Sequence, residues 1–116
     1  MGLRQSQTLE VLVDISESTT ISGYKNIEGF SYGSLQLPAA FDSGNMTIGV
    51  TNDEDSTGAP TNWAALKNNA NTAITVFSVA ALDRFPLASE VFHFKYVRFT
   101  FAAQSADRTV LLQVIE

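Results

Sequence analysis

The sequence predicts an all-β protein, an antiparallel β-sandwich of about eight short strands with little or no helix. Apolar residues recur at every second position in most segments, which places successive side chains on opposite faces of a strand. Loops rich in Gly, Asn, Asp, Ser and Pro separate these segments at short intervals, as a fold of many short strands requires. Composition agrees: 116 residues, 45% hydrophobic and 16% charged, suit one core rather than a disordered chain. Surface scaling then allows about two-thirds of the unfolded chain's surface to be buried.

Leu9, Val11, Val13 and Ile15 alternate with Glu10, Leu12 and Asp14 and give an opening strand over residues 8–16. Residues 1–8 are expected to form a flexible N-terminal arm, and residues 9–116 a single sandwich domain. Residues 23–33 mix glycines with Tyr24, Phe30 and Tyr32, and read as a strand, a tight hairpin or an irregular loop. Residues 34–37 form a strand that Pro38 stops, since proline lacks the amide donor of a continuing central ladder. Met46, Ile48 and Val50 alternate with Asn45, Thr47, Gly49 and Thr51 in a clear strand. Residues 62–69, with Trp63, give one helical turn at most.

Residues 73–80 hold Ile74, Thr75, Val76, Phe77 and Val79, a β-branched and aromatic run that predicts a strand mostly buried on both faces. From Val91 to Phe101 the apolar parity changes between Tyr96 and Val97. Phe92, Phe94 and Tyr96 share one face, whereas Val97, Phe99 and Phe101 share the other. One register cannot bury both sets, which predicts a bulge near Tyr96 and Val97 or a strand that passes between two sheets. Val110, Leu112 and Val114 close the chain as a strand.

Seven basic against twelve acidic side chains give a net charge of −5, which argues against nucleic acid as a partner. The negative surplus lies in residues 1–82, with 3 basic and 8 acidic side chains, whereas residues 83–116 hold 4 of each. Zero cysteines exclude disulfides, thiol nucleophiles and thiolate zinc sites. The opening residues lack a secretory apolar stretch, and no window approaches the ~20 apolar residues of a membrane span, so a soluble, unexported chain without a membrane partner is expected. Gly2 with Ser6 matches a myristoylation pattern too loose to carry weight.

Asp53, Glu54 and Asp55 form the acidic centre, read either as a solvated loop or as oxygen ligands for calcium, although the EF-hand offsets are missing. His93 is the sole histidine, expected on a sheet face, and one chain cannot assemble a triad or a multi-histidine metal site from it. Neither a Gly-rich phosphate loop nor a nucleophile elbow is present. A protein without catalysis, cofactor or metal is therefore expected. Lys95 and Arg98 are read as pairing internally with Asp107 or Glu90, or as reaching a carboxylate on another molecule. Trp63, Tyr24, Phe30 and Tyr32 lie in or beside loops, where aromatics anchor a loop to the core, fill a protein interface or stack on sugar rings.

Four phrases carry a family resemblance: Gly29-Phe30-Ser31-Tyr32-Gly33-Ser34-Leu35-Gln36-Leu37-Pro38-Ala39-Ala40-Phe41, Met46-Thr47-Ile48-Gly49-Val50, Lys95-Tyr96-Val97-Arg98-Phe99, and Gln104-Ser105-Ala106-Asp107-Arg108-Thr109. Together, over roughly residues 20–115, the chain resembles the small all-β proteins encoded near the major capsid gene of tailed bacteriophages. The resemblance implies a jelly-roll-like cement or decoration subunit on the capsid exterior, made in the host cytoplasm, which clamps neighbouring major capsid proteins. It also implies a homo-oligomer, a dimer or trimer.

Candidate partner-binding residues are Leu3 and Arg4 in the arm and the aromatic loop residues Tyr24, Phe30 and Tyr32. The competing expectation is a carbohydrate-binding sandwich module of a phage fibre or other host-recognition appendage, with Trp63 at its centre.

Overall fold

The structure, a computed structural model, describes residues 5–15 and 21–116. In chain order its strands are β1 (Ser6–Val13), β2 (Lys25–Asn26), β3 (Tyr32–Gln36), β4 (Gly44–Thr51), β5 (Asp53–Glu54), β6 (Pro60–Thr61), β7 (Ala64–Ala65), β8 (Thr75–Val79), β9 (Arg84–Pro86), β10 (Tyr96–Thr100) and β11 (Arg108–Ile115). A 3-10 helix, Ser89–His93, stands between β9 and β10. The first sheet runs β1-β11-β3-β9, and the second runs β2-β10-β4 with β7 and β8 sharing the far edge of β4. Every pairing is antiparallel. The chain switches sheets at each step from β1 to β4 and again from β8 to β11, which is the interleaving of a jelly roll.

The period-two segments explain where the core lies. Val11 and Val13 of β1, Leu35 of β3, and Val110, Leu112 and Val114 of β11 point inward from the first sheet, all fully buried. Met46, Ile48 and Val50 of β4 with Val97 and Phe99 of β10 answer them from the second. The ends are closed by Phe41 and Phe101, whose rings meet edge to face at 5.1 Å, and by Ile27, Leu66, Leu87 and Val91 from the connections. At the Phe41 end, Gln104 accepts from the Asp42 backbone N–H at 2.8 Å and returns a bond to the Asp42 carbonyl at 3.0 Å. The Asp42 carboxylate accepts from Ser105 N–H at 2.6 Å, so the β3–β4 and β10–β11 connections are held together.

Several elements depart from the sequence expectation. The opening strand starts at Ser6, and residues 6–8 pair with Ile115, Val114 and Gln113, so they belong to the sheet rather than to an arm. Ladder hydrogen bonds to β11 account for this earlier start. Ile15 lies beyond the strand and donates its backbone N–H to the Asp107 carboxylate at 3.0 Å. Residues 62–69 contain no helical turn: Ala64 and Ala65 extend the β4 edge, and Asn62 sits at φ 57°. Residues 73–80 are not buried on both faces, because β8 is an edge strand and Phe77 is 73% exposed. A register shift opposite Gly44 and Met46, with Ser78 at φ 56°, interrupts its alternation.

The aromatic run contains neither a bulge nor a sheet crossing. Residues 89–93 coil into the 3-10 helix, which places Val91 in the core and lays the Phe92 ring over Gly33. A Cβ at Gly33 would lie 2.7 Å from Phe92 Cζ and 2.9 Å from the Gln113 carbonyl oxygen, so only glycine fits beneath that ring. His93 is exposed on this helix and not on a sheet face. The parity change falls inside β10, where Tyr96 and Val97 are both buried on opposite faces of one unbroken register, while Phe92 and Phe94 lie before the strand.

Truncating Phe99, fully buried, to alanine is expected to cost about 3–5 kcal/mol in urea unfolding, since it leaves a cavity between the sheets. Phe77→Ala on the exposed edge should stay within about 0.5 kcal/mol of the parent. Equal losses from both would contradict this assignment of inner and outer positions.

Candidate functional site

Period-two geometry sends Val97 and Phe99 of β10 into the core and leaves Tyr96, Arg98 and Thr100 on the outer face of the second sheet. Tyr96 is nonetheless buried, at 6% exposure, because the β5–β6 hairpin and Tyr24 cover it. Its ring meets Tyr24 edge to face at 5.7 Å, and Tyr24 in turn lies 6.4 Å from Trp63 at 47°. Trp63 precedes β7 and brings its ring under the Arg98 guanidinium, 4.4 Å from the ring centre. Tyr24, Trp63, Tyr96 and Arg98 thus form one continuous aromatic and cationic surface.

The hairpin is anchored to this surface by Glu54. Its carboxylate accepts the Tyr96 hydroxyl at 2.6 Å and forms an ion pair with Lys95. The Lys95 ammonium also lies 5.5 Å from the Tyr96 ring centre. Thr51 supplies the second tie: its hydroxyl donates to the Thr61 carbonyl at 2.6 Å and accepts from Asp53 N–H at 3.0 Å. The hydrogen bond from Lys95, then that from Tyr96, holds the Glu54 carboxyl below the usual glutamate range. The same contact with Glu54 raises Lys95 and raises Tyr96, whose neutral hydroxyl is the form that donates.

Asp53, Glu54 and Asp55 do not converge. Asp53 accepts from the Asn62 amide at 3.0 Å, Glu54 faces Lys95 and Tyr96, and Asp55 closes its own turn by accepting from Thr57 N–H at 2.8 Å and Ala59 N–H at 3.1 Å. Each carboxylate has a separate local partner. Among the described residues no group of three or more acidic or histidine side chains is placed to share an ion.

Arg98 stands apart from the other charged groups on this face. Among the described residues its guanidinium has no ion pair and no hydrogen bond, although Lys95 is paired, with Glu54. Asp107 and Glu90, its expected partners, are engaged elsewhere: Asp107 accepts from Ile15 N–H, and Glu90 from the Ser89 hydroxyl at 3.3 Å. Partial burial pulls the Arg98 pKa below the usual arginine value, and an arginine remains charged at physiological pH.

The structure separates the residues expected to bind a partner. Leu3 and Arg4 lie outside the described residues. Tyr24 belongs to the surface just described and is 49% exposed. Tyr32, 53% exposed, points from β3 to the outer face of the first sheet, on the opposite side of the sandwich. Phe30 packs against the core and acts as a loop anchor. Tyr96 and Glu54 were not among the expected partner-binding residues; the sequence signal for Tyr96 is the parity change that sets it apart from Val97, and Glu54 stood out only as part of the acidic centre.

Near that opposite face, Leu37, Pro38, Ala39, Leu82 and Leu111 line an open groove of about 400 Å³. Leu82 is 67% exposed there at φ 64°. This second surface is more apolar than the first and, among the described residues, carries no comparable arrangement of charge and aromatic rings.

Glu54→Gln should release the hairpin, read as faster amide exchange across β5 and β6 at neutral pH. In the parent, the depressed Glu54 carboxyl contributes stability above the ordinary glutamate range, lost as pH falls through the depressed value. Raised Lys95 contributes below the ordinary lysine range, lost as pH rises through its raised value. Hairpin protection should therefore persist through neutral pH and fail first in acid. Unchanged protection in acid, or in the variant, would contradict the anchor.

No family model matches the chain, and no curated protein matches it. Among solved structures, the SPBc2 prophage-derived protein YomS is similar, with a TM-score of 0.63 at 12% sequence identity. The match covers 100% of this chain and 97% of that one. At this identity the likeness shows a shared fold: the two chains have the same sandwich architecture from end to end.

Proposed function

We propose that this chain is a structural protein of a bacteriophage, a cement or decoration subunit that binds the outer surface of the capsid and stabilises contacts between major capsid proteins. The observation that carries the reading is the correspondence, over 100% of this chain and 97% of the other, with a prophage-derived protein of the same fold. The four sequence phrases that resemble those of capsid-associated jelly rolls point the same way. In this reading the chain acts by binding, without catalysis of its own.

A jelly roll uses its inner faces for the core and leaves outer faces, edges and end loops available for docking. The Tyr24, Trp63 and Arg98 surface has the residue types that dominate protein interfaces. Subunits associated as a dimer or trimer would attach at several points, and effective concentration then amplifies modest individual contacts. The net charge of −5 favours encounter with basic patches on a shell.

The same geometry weighs against a carbohydrate-binding module. Sugar stacking needs an open ring face, whereas the Arg98 guanidinium lies 4.4 Å over Trp63 and Tyr24 is tilted by 47° to it. These rings do not form a flat platform.

Quantitative mass spectrometry of purified particles is expected to find the chain in copy numbers comparable to the capsomers, and the purified protein should rebind particles stripped of it, less well as salt rises. Absence from particles, or a few copies per particle with binding on a glycan array, would overturn the cement reading. Salt-independent loading would remove the charge contribution alone.

A further inference from the structure

We propose that Arg98 and Trp63 form a receptor for a single carboxylate, an aspartate or glutamate side chain presented by a segment of a partner protein. Three strands place the parts. Arg98 of β10 is opposite Gly49 of β4, and Gly49 is opposite Ala65 of β7, so the row across the sheet runs from a long cation over two small residues. A Cβ at Gly49 would lie 3.3 Å from Arg98 Cγ and 3.5 Å from Nε, so the arginine stem lies directly over this glycine. From there the guanidinium reaches the Trp63 ring at 4.4 Å.

The result is a guanidinium held in place by stacking rather than by an anion. Lys95 has its charge answered by Glu54, whereas the Arg98 guanidinium has no ion pair or hydrogen bond among the described residues while its stem is half-buried. A cation partly withdrawn from water, with its planar fork unoccupied, is matched by a carboxylate that accepts two parallel N–H bonds. Stacking on Trp63 restricts the side chain before the partner arrives, so little order remains to be imposed on binding. Thr47, Thr100, Ala64 and Ala65 border a groove of about 170 Å³ at this point, enough for one short acidic side chain. A polyanion is disfavoured, since a chain of net charge −5 repels it while one guanidinium attracts it. The assignment of that carboxylate to a protein rests on the reading of the chain as a docking subunit.

The test uses the full chain and a capped pentapeptide with one central aspartate between glycines, beside its asparagine counterpart and inorganic phosphate. Trp63 is the sole tryptophan, so its indole N–H is a unique NMR signal, read together with the Arg98 Nε–H. The aspartate peptide is expected to shift both signals saturably at millimolar concentration, and the asparagine peptide neither. Arg98→Gln should weaken that response by about tenfold or more, with an unchanged melting curve showing that it folds, and Tyr32→Ala on the opposite face should leave the response intact. No response to aspartate, an equal response to asparagine or phosphate, or a full response in Arg98→Gln would overturn the receptor.

Particles stripped of the chain separate this failure from failure of the docking reading. If the peptide response holds and the parent does not bind particles, the cement reading fails and the receptor stands. If the parent and Arg98→Gln bind particles equally, the cement reading stands and the receptor's role in docking is overturned.

Discussion

Strand β10 serves two surfaces at once, and the alternation of its side chains couples them. Val97 and Phe99 must face inward because the core between the sheets is built around them, and this leaves Tyr96 and Arg98 no choice but the outer face. A shift of one residue would bury the guanidinium and expose both core residues, so the register that forms the core also sets the outer surface. Its outer positions are then completed by segments far away in sequence: Tyr24 before β2, Glu54 on β5 and Trp63 before β7. Ser22 supports the same strand from its edge, donating its N–H to the Phe99 carbonyl at 2.7 Å while its hydroxyl accepts the Phe99 N–H at 3.0 Å.

The connection between β4 and β8 builds this surface. In a plain jelly roll a turn would join those strands, but here the chain leaves β4, forms the β5–β6 hairpin, and returns along the β4 edge as β7 before starting β8. That detour brings the acidic Glu54 to Lys95 and Tyr96, and the indole of Trp63 to Arg98. An acidic loop that reads as a solvated or ion-binding cluster in sequence is therefore used locally, one carboxylate at a time. Satisfied polar contacts hold the hairpin, and the stacked arginine is left facing outward.

The core was legible in the sequence wherever one face of a strand is buried and the other is solvated, because only then does a period of two appear. Met46, Ile48 and Val50, and likewise Val110, Leu112 and Val114, lie buried as their spacing demands. The signal failed where apolar residues have other uses. Phe92 and Phe94 pack against the core from the 3-10 helix and its exit, so their alternation with His93 imitates a strand. Phe77 sits on an edge strand, where β-branched and aromatic content no longer implies burial. Of the candidate site, Tyr24 was legible as a loop aromatic, but its association with Trp63, Tyr96 and Arg98 depends on cross-strand neighbours that local sequence does not encode. Tyr32 and Phe30, close to Tyr24 in sequence, go to the opposite face and to the core.

A sandwich of this kind offers two broad outer faces, and the account assigns docking to the one that carries Arg98 and Trp63. The most direct measurement is hydrogen exchange of the chain free and bound to capsid particles, resolved by strand. Binding is expected to slow exchange in β4, β7 and β10 and in the β5–β6 hairpin, while β3 and β9 exchange as they do in the free protein. Protection confined to β3 and β9, or no protection anywhere at saturating particle concentration, would contradict it.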